Sequence, residues 1–256
     1  MKIATWNVNS LRARLPRVLE WLEATEVDVV LLQETKMANT AFDPAPFTEL
    51  GYEAAHHGDG QWNGVAILSR CGIEGVDSGF GDPQVEAGCR ILHATCGGVR
   101  VSSVYVPNGR ALDDPHYAVK LRWLEHLRTW LDDASAANAP HVIGGDFNIA
   151  PSDADVWDPA ALVGMTHVSA AERAALAALC GLGYEDVVEH LHPQAGQFSW
   201  WDYRGGSFRQ NHGMRIDLLL ASAPLMGRLV AASVDREARK GEKPSDHAPV
   251  VATFSD

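Results

Sequence analysis

Cysteine is scarce in this 256-residue chain, and Cys71, Cys89, Cys96 and Cys180 fall at no metal-ligand spacing, which excludes a cysteine-built metal centre. They read as reduced thiols of a cytoplasmic protein. No apolar run is long enough to span a bilayer. The first residues enter a strand-like segment, Lys2 to Trp6, without the basic, apolar and small-residue regions of a secretory signal. Neither secretion nor membrane association is expected. Excess positive charge is missing too: a formal net charge of −12 argues against a protein that coats nucleic acid by bulk electrostatics, since that affinity rests on neutralising Lys and Arg. Linkers, repeats and low-complexity stretches are absent, so one domain over residues 1–256 is the economical reading.

What is present is a chain with 46% hydrophobic residues, enough for a large core. Its charge is uneven. Arg204 to Lys243 carries eight basic and four acidic residues, a balance of +4, whereas Asp113 to Asp158 carries three and nine, a balance of −6. A basic binding face beside an acidic, metal-attracting site fits that asymmetry. Short apolar, β-branched runs predict strands at Val27 to Leu32, Val65 to Leu68, Arg90 to Thr95, Val99 to Val106, His141 to Ile143, Ile216 to Leu220 and Val250 to Phe254. Cys96-Gly97-Gly98 predicts a hairpin turn. Pro16 suits a first helical turn with Leu15, Val18, Leu19 and Leu22 on one face. Leu121, Leu124, Leu127 and Leu131 repeat at helical spacing after Pro115, and Ser169 with Glu172 forms a capping-box pattern ahead of a stop at Gly181. Alternating elements with mixed connections predict an α/β fold of two packed sheets with helices outside, although a single doubly wound sheet shares the pattern.

Polar residues at the ends of buried strands mark the chemistry, because a strand tip holds a side chain rigidly yet leaves it reachable from a cleft. Asn7 and Asn9, Glu34, Tyr105 with Asn108, Asp146 with Asn148, and Asp246-His247 all occupy such places. Glu34 ends an apolar strand in LLQETK, and a hard cation such as Mg²⁺ needs only one or two protein carboxylates. Gly144 and Gly145 permit close backbone approach before Asp146 and Asn148, which lie two residues apart on one strand face. Asp146 can orient or deprotonate water there, and Asn148 can hydrogen-bond water or phosphate. Asp217 sits inside the apolar run MRIDLLLAS; a buried carboxylate needs a partner, and His247 is the obvious imidazole.

The ordered set WNVNSLRAR, LQETK, YVPNG, GGDFNIAP, FSWWDYR, RIDLLLAS and KPSDHAPV resembles the exodeoxyribonuclease III branch of the endonuclease/exonuclease/phosphatase superfamily. The resemblance runs from residue 3 to residue 254 and implies a four-layer α/β sandwich of two packed mixed sheets flanked by helices. It also implies a DNA-repair nuclease that incises 5′ to abasic sites and trims 3′ ends, with Mg²⁺, or Mn²⁺, as cofactor and double-stranded DNA as partner to a monomer. By position, Glu34 would be the principal metal ligand, with Asn7 and Asp246 near it. Asp146 and Asn148 would position the attacking water, Tyr105 would contact phosphate, and Asp217 and His247 would form a dyad. Ser199, Trp200, Trp201, Met214 and Ile216 would wall a pocket for a baseless sugar. Asn9 and Asn108 would contribute to substrate binding, and Arg12, Arg14, Arg110, Arg204 and Arg209 would clamp phosphates. Asn9 stands where some relatives carry Asp, which weakens any second metal contact. Relatives acting on RNA or small phosphoesters, and a non-cutting DNA-binding module, are the alternatives.

Overall fold

The computed structural model describes residues 1–81, 88–133, 139–194 and 196–255. The strands are β1 (Lys2–Asn7), β2 (Val29–Gln33), β3 (Glu53–His57), β4 (Val65–Ser69), β5 (Glu74–Ser78), β6 (Ile91–Cys96), β7 (Val99–Tyr105), β8 (His141–Asp146), β9 (Tyr184–Asp186), β10 (Asp217–Ser222), β11 (Leu229–Val234) and β12 (Val250–Phe254). They form two six-stranded sheets, ordered β11-β12-β1-β2-β4-β3 and β5-β6-β7-β8-β10-β9. The helices that cover them are α1 (Leu11–Thr25), α2 (Ala45–Thr48), α3 (Pro115–Asp133), α4 (Ala170–Cys180) and α5 (Val187–Leu191).

Strand composition explains the layering. In β2, Val29 and Leu31 face the second sheet while Val30 and Leu32 face α1. A strand buried on both faces reads as a continuous apolar run rather than an alternating one. Ile3, Leu31 and Ile67 of the first sheet meet Leu92, Val101 and Leu219 of the second in the central core. Trp21 and Leu22 of α1 close one outer face, and Trp123, Leu127 and Leu179 of α3 and α4 close the other. The result is a four-layer sandwich, not a single doubly wound sheet.

Two glycines let the sheets and strands approach. A Cβ on Gly144 would stand 2.6 Å from Leu219 Cδ2 and 2.7 Å from Leu31 Cδ1, and one on Gly145 would collide with the Val104 carbonyl. The hairpin at Cys96-Gly97-Gly98 is present, pairing Cys96 with Val99. The Ser169–Glu172 capping box opens α4, and Gly181 closes it. Pro16 departs from expectation: α1 begins at Leu11, so this proline lies inside the helix. The earlier start follows from β2, since Ser10 N and Leu11 N donate to Glu34 O and Thr35 O and seat the first turn against the strand end.

The connections aim the strand ends at one edge. β1 and β2 are parallel and joined by α1, and β7 and β8 are parallel and joined by α3. The last residues of β1, β7 and β8 are Asn7, Tyr105 and Asp146, with Glu34 just past β2. β10 and β12 run antiparallel to β8 and β1, so the starts of those strands, with Asp217 and the preceding His247, arrive at the same edge. Asp217 pairs directly opposite Asp146, and Tyr105 pairs with Asp146 from the other side.

Candidate active site

At that edge a dyad is built first. His247 Nδ1 lies 2.8 Å from Asp217 Oδ2, and Ser199 Oγ donates to the same oxygen at 2.6 Å. Asp217 is fully buried, and among the described residues its Oδ1 has no hydrogen-bond partner. Burial opposes charge on His247, but the carboxylate of Asp217, aided by those of Asp146 and Asp246, raises its pKa to about 10. The surrounding carboxylates thus favour the protonated ring, and its Nε2 faces Asp146 Oδ2 at 3.8 Å.

Asp146 is the other half of the balance. Burial, followed by the competing pulls of His247 and of Asp217 and Glu34, pushes its pKa up to about 7. Asn7 Nδ2 donates to Asp146 Oδ2 and to Glu34 Oε1, each at 2.9 Å. The Tyr105 phenol donates to Glu34 Oε1 at 2.9 Å, and burial beside Glu34 and Asp146 keeps that phenol protonated. Burial opposes the charge on Glu34, yet Lys36, whose Nζ lies 2.7 Å from Oε2, and the Asn7 amide hold its carboxyl below the usual range.

Among the described residues Glu34, Asp146 and His247 form a group with ligand atoms within 4.8 Å of one another, close enough to hold a metal ion. The donor set selects its character. His247 Nδ1 is engaged by Asp217, and the carboxylate oxygens of Glu34 and Asp146 supply the hard donors of the group, with Asn7 beside them. Hard oxygen donors suit a hard divalent cation. Asp246, expected beside the metal, lies outside this group. Its oxygens accept from Asn9 Nδ2 at 2.9 Å and Trp200 Nε1 at 3.1 Å.

Asn148 adopts a left-handed backbone, φ 52, and its amide is locked: Nδ2 donates to Val106 O at 2.9 Å and Oδ1 accepts from Asn108 Nδ2 at 3.0 Å. Glu34 (φ 52), Asn9 (φ 44) and His167 (φ 77) share the left-handed region, a concentration of backbone strain of the kind held at functional sites. Met214 and Ile216 pack with Trp200, Val156 and Ala150 in one apolar cluster. Trp201 is separated from them, fully buried in a cluster with Phe198 and Ala248, because its indole faces the opposite side of the segment that pairs with Met214. Arg12, Arg110, Arg204 and Arg209 are exposed; Arg204 forks onto Asp202, and Arg14 donates to the Tyr203 hydroxyl at 2.8 Å.

Several residues at the site were not singled out in the sequence. Lys36 Nζ bridges Glu34 and Asn9 Oδ1, the latter at 2.6 Å; its position two residues after Glu34, past a strand end, was the available signal. His167 donates from Nδ1 to Asn148 O at 2.6 Å. Burial and the nearby Lys120 lower its pKa to about 4, so it is neutral. Nothing in the sequence around His167 announces that placement.

A strand-edge cluster of carboxylates, amides and an Asp–His pair on a two-sheet sandwich defines a class of hydrolytic phosphoesterases. The model of the Endonuclease/Exonuclease/phosphatase family matches residues 4–247, and the chain belongs to that family. Exodeoxyribonuclease III of Haemophilus influenzae is 35% identical over 270 residues, covering 99% of this chain and 100% of that protein. An AP endonuclease from Archaeoglobus fulgidus has 37% identity and a TM-score of 0.97, with 100% of both chains covered. A 3′ phosphatase from Neisseria, solved with a product DNA hairpin, has 40% identity and a TM-score of 0.95 over 100% of both chains.

Proposed function

We propose that the protein is a DNA-repair nuclease, a hydrolase that incises 5′ to abasic sites and removes nucleotides or blocking groups from 3′ ends. It acts in the cytoplasm as a monomer, with one domain over residues 1–256 and Mg²⁺, or Mn²⁺, as its metal. The observation that carries this reading is the Asp217–His247 pair, 2.8 Å apart, with Asp146 on the far side of the ring at 3.8 Å. The relatives support the substrate class: their names specify an exodeoxyribonuclease, an AP endonuclease and a 3′ phosphatase.

The metal, held by Glu34 with Asn7 and Asp146 near it, would offset charge on a non-bridging phosphate oxygen. The remaining work belongs to side chains. Asp217 keeps His247 protonated, so His247 donates from Nε2 to the phosphoryl oxygen as negative charge develops. An imidazolium cannot accept the proton of the attacking water. Asp146, whose pKa burial raises and which faces the ring, takes it. Asn148 fixes Asp146 through its backbone N–H, which donates to Oδ1 at 2.9 Å, and its remaining amide hydrogen is directed to water or phosphate. Tyr105, kept as a phenol, orients Glu34 and reaches phosphate. Attack in line breaks the bond from phosphorus to the 3′ oxygen, which takes a proton from solvent as it leaves, giving a 3′-hydroxyl and a 5′-deoxyribose phosphate at an abasic site. Met214, Ile216 and Trp200 wall the space for the extruded sugar. Asn9, Asn108 and the exposed arginines Arg12, Arg110 and Arg204 contact the flanking strand.

The test is a panel of labelled duplexes: one with a single abasic analogue, one with a recessed 3′ end and one with a 3′-phosphate at a nick, each with Mg²⁺ or EDTA. Incision at the lesion and processing at the 3′ ends, both abolished by EDTA, are expected. EDTA-resistant cleavage, or silence on DNA with turnover of RNA or a small phosphodiester, contradicts the proposal.

A further inference from the structure

Behind the proposed water-positioning asparagine lies a charged group that the chemistry above does not use. Lys120, on α3, is fully buried, as is its partner Glu172 on α4. Its ammonium donates to Asn148 O at 2.6 Å, to Asn108 O at 3.3 Å and to Glu172 Oε1. Three N–H groups thus meet three acceptors, and none is left over. Glu172 is equally occupied: Oε1 also accepts from Thr166 Oγ1 at 2.8 Å and His167 N at 2.9 Å, and Oε2 accepts from Ser169 N and Oγ. Thr166 Oγ1 in turn reaches Asn108 O at 3.2 Å, and His167 Nδ1 reaches Asn148 O.

The two backbone carbonyls on the ammonium belong to the two residues whose side chains bond one another above it, Asn108 Nδ2 to Asn148 Oδ1 at 3.0 Å. The loop after β7 is shaped to reach it. Gly109 has φ 87, and a Cβ there would stand 3.1 Å from Lys120 Cδ and 3.0 Å from Thr166 Oγ1. A buried ion pair is commonly no more stabilising than apolar residues of the same volume. Fold stability alone therefore gives little reason for a charge between α3, α4 and the site loops. Its directional bonds do something that apolar packing cannot: they set the separation and rotation of two peptide units.

We propose that Lys120 is a positioning residue which, anchored by Glu172, clamps the Asn108 and Asn148 carbonyls and so aims the Asn148 amide and backbone N–H at the reacting centre. The inference rests on the hydrolase reading of that site. Asn148 N holds Asp146 Oδ1, so release of the clamp misaligns Asp146 as well. A displacement of about 1 Å in such groups costs on the order of 10²-fold in rate.

The experiment compares wild type, K120M, K120R and the double variant K120M/E172Q for melting temperature, steady-state cleavage of a 3′-recessed duplex, and exchange protection of the Asn148 side-chain amide by NMR. K120M leaves an unpaired buried carboxylate and is expected to melt early. K120M/E172Q removes both charges and keeps one oxygen as acceptor for Thr166 and His167, while its amide nitrogen replaces the oxygen that accepted from Ser169, and is expected to recover part of that loss. Its kcat is expected to stay about 10- to 100-fold low with KM within about threefold, and the Asn148 amide is expected to lose protection. K120R, which keeps the charge but replaces three radiating donors by a planar fork, is expected to show the same loss of kcat while folded, and serves if the double variant melts below the assay temperature. Wild-type kcat and full amide protection in a folded K120M/E172Q or K120R overturn the inference. Inactive wild type on every duplex overturns the hydrolase reading instead, and the amide protection still decides the clamp.

Discussion

The roles at the strand edge separate by which proton each residue can hold. In the proposed mechanism, Asp217 holds His247 as a cation and Asp146 serves as the proton acceptor. Asp217→Asn is expected to lower the His247 pKa by several units, read from ring resonances in the metal-free protein, and to reduce kcat by roughly 10²- to 10⁴-fold, the usual contribution of a positioned acid or base. A His247 pKa unchanged in D217N would remove the basis for the assignment. The dyad was legible in the sequence because a carboxylate inside RIDLLLAS needs a partner and few cationic or imidazole side chains end a neighbouring strand. Lys36, Lys120 and His167 were not, for a common reason: each reaches the site from a loop or helix whose own pattern is unremarkable. Trp201 shows the converse limit, since adjacent tryptophans on an extended segment face opposite sides.

Elements read most clearly where both faces are buried. β2, β4, β7, β8, β10 and β12 were all visible as apolar runs, whereas β3, β5, β9 and β11 were not. β3, β5, β9 and β11 lie at the edges of their sheets; β5 is exposed at every position and β9 has three residues, so no burial pattern is imposed on them. One polar row crosses the second sheet. His93 of β6 and His141 of β8 both bond Ser102 Oγ of β7, at 2.7 and 2.9 Å, and His141 Nδ1 meets the Tyr184 hydroxyl of β9 at 2.7 Å. Burial lowers the pKa of His93 to about 4 and that of His141 to about 3. Both are neutral in the fold, while the unfolded chain binds their protons below about pH 6.5. Their contribution is therefore complete above pH 6.5 and is lost as pH falls toward the folded values, by roughly 2 to 3 kcal/mol per histidine near pH 4.5. Urea unfolding of wild type and His141→Asn at pH 7.5 and 4.5 checks this. The variant is expected to show a shallower acid loss; equal slopes contradict the titration of this row.

At the scale of the molecule, the +4 balance over Arg204 to Lys243 overstates the basic face. Arg215 is buried among Asp155, Asp186 and Glu189, and Arg239 is buried beneath Tyr203 and Phe208. Fewer cations reach solvent than the sequence counts, and the net charge is −12. DNA affinity measured in EDTA is expected to fall with salt at a log–log slope of about −2 to −4, for two to four neutralised phosphates. A slope near −8 would mean that a much larger basic surface is engaged. The α/β alternation was legible because apolar runs and helical repeats cover nearly the whole chain, while the four-layer sandwich came with the family resemblance, since a single doubly wound sheet shares that pattern; which cations the packing would consume was not legible, since ion pairs such as Arg215–Asp155 join residues 60 apart.

The central claim is that the Asp217–His247–Asp146 edge hydrolyses phosphodiesters in DNA with a metal at Glu34. Single-turnover incision of a duplex carrying one abasic analogue, by wild type and by His247→Asn in Mg²⁺, tests it most directly. Incision on the 5′ side of the lesion by wild type is expected, with a rate about 10²- to 10⁴-fold lower in the variant and duplex binding retained. Equal rates for the two proteins, or no incision of this duplex by the wild type, would contradict it.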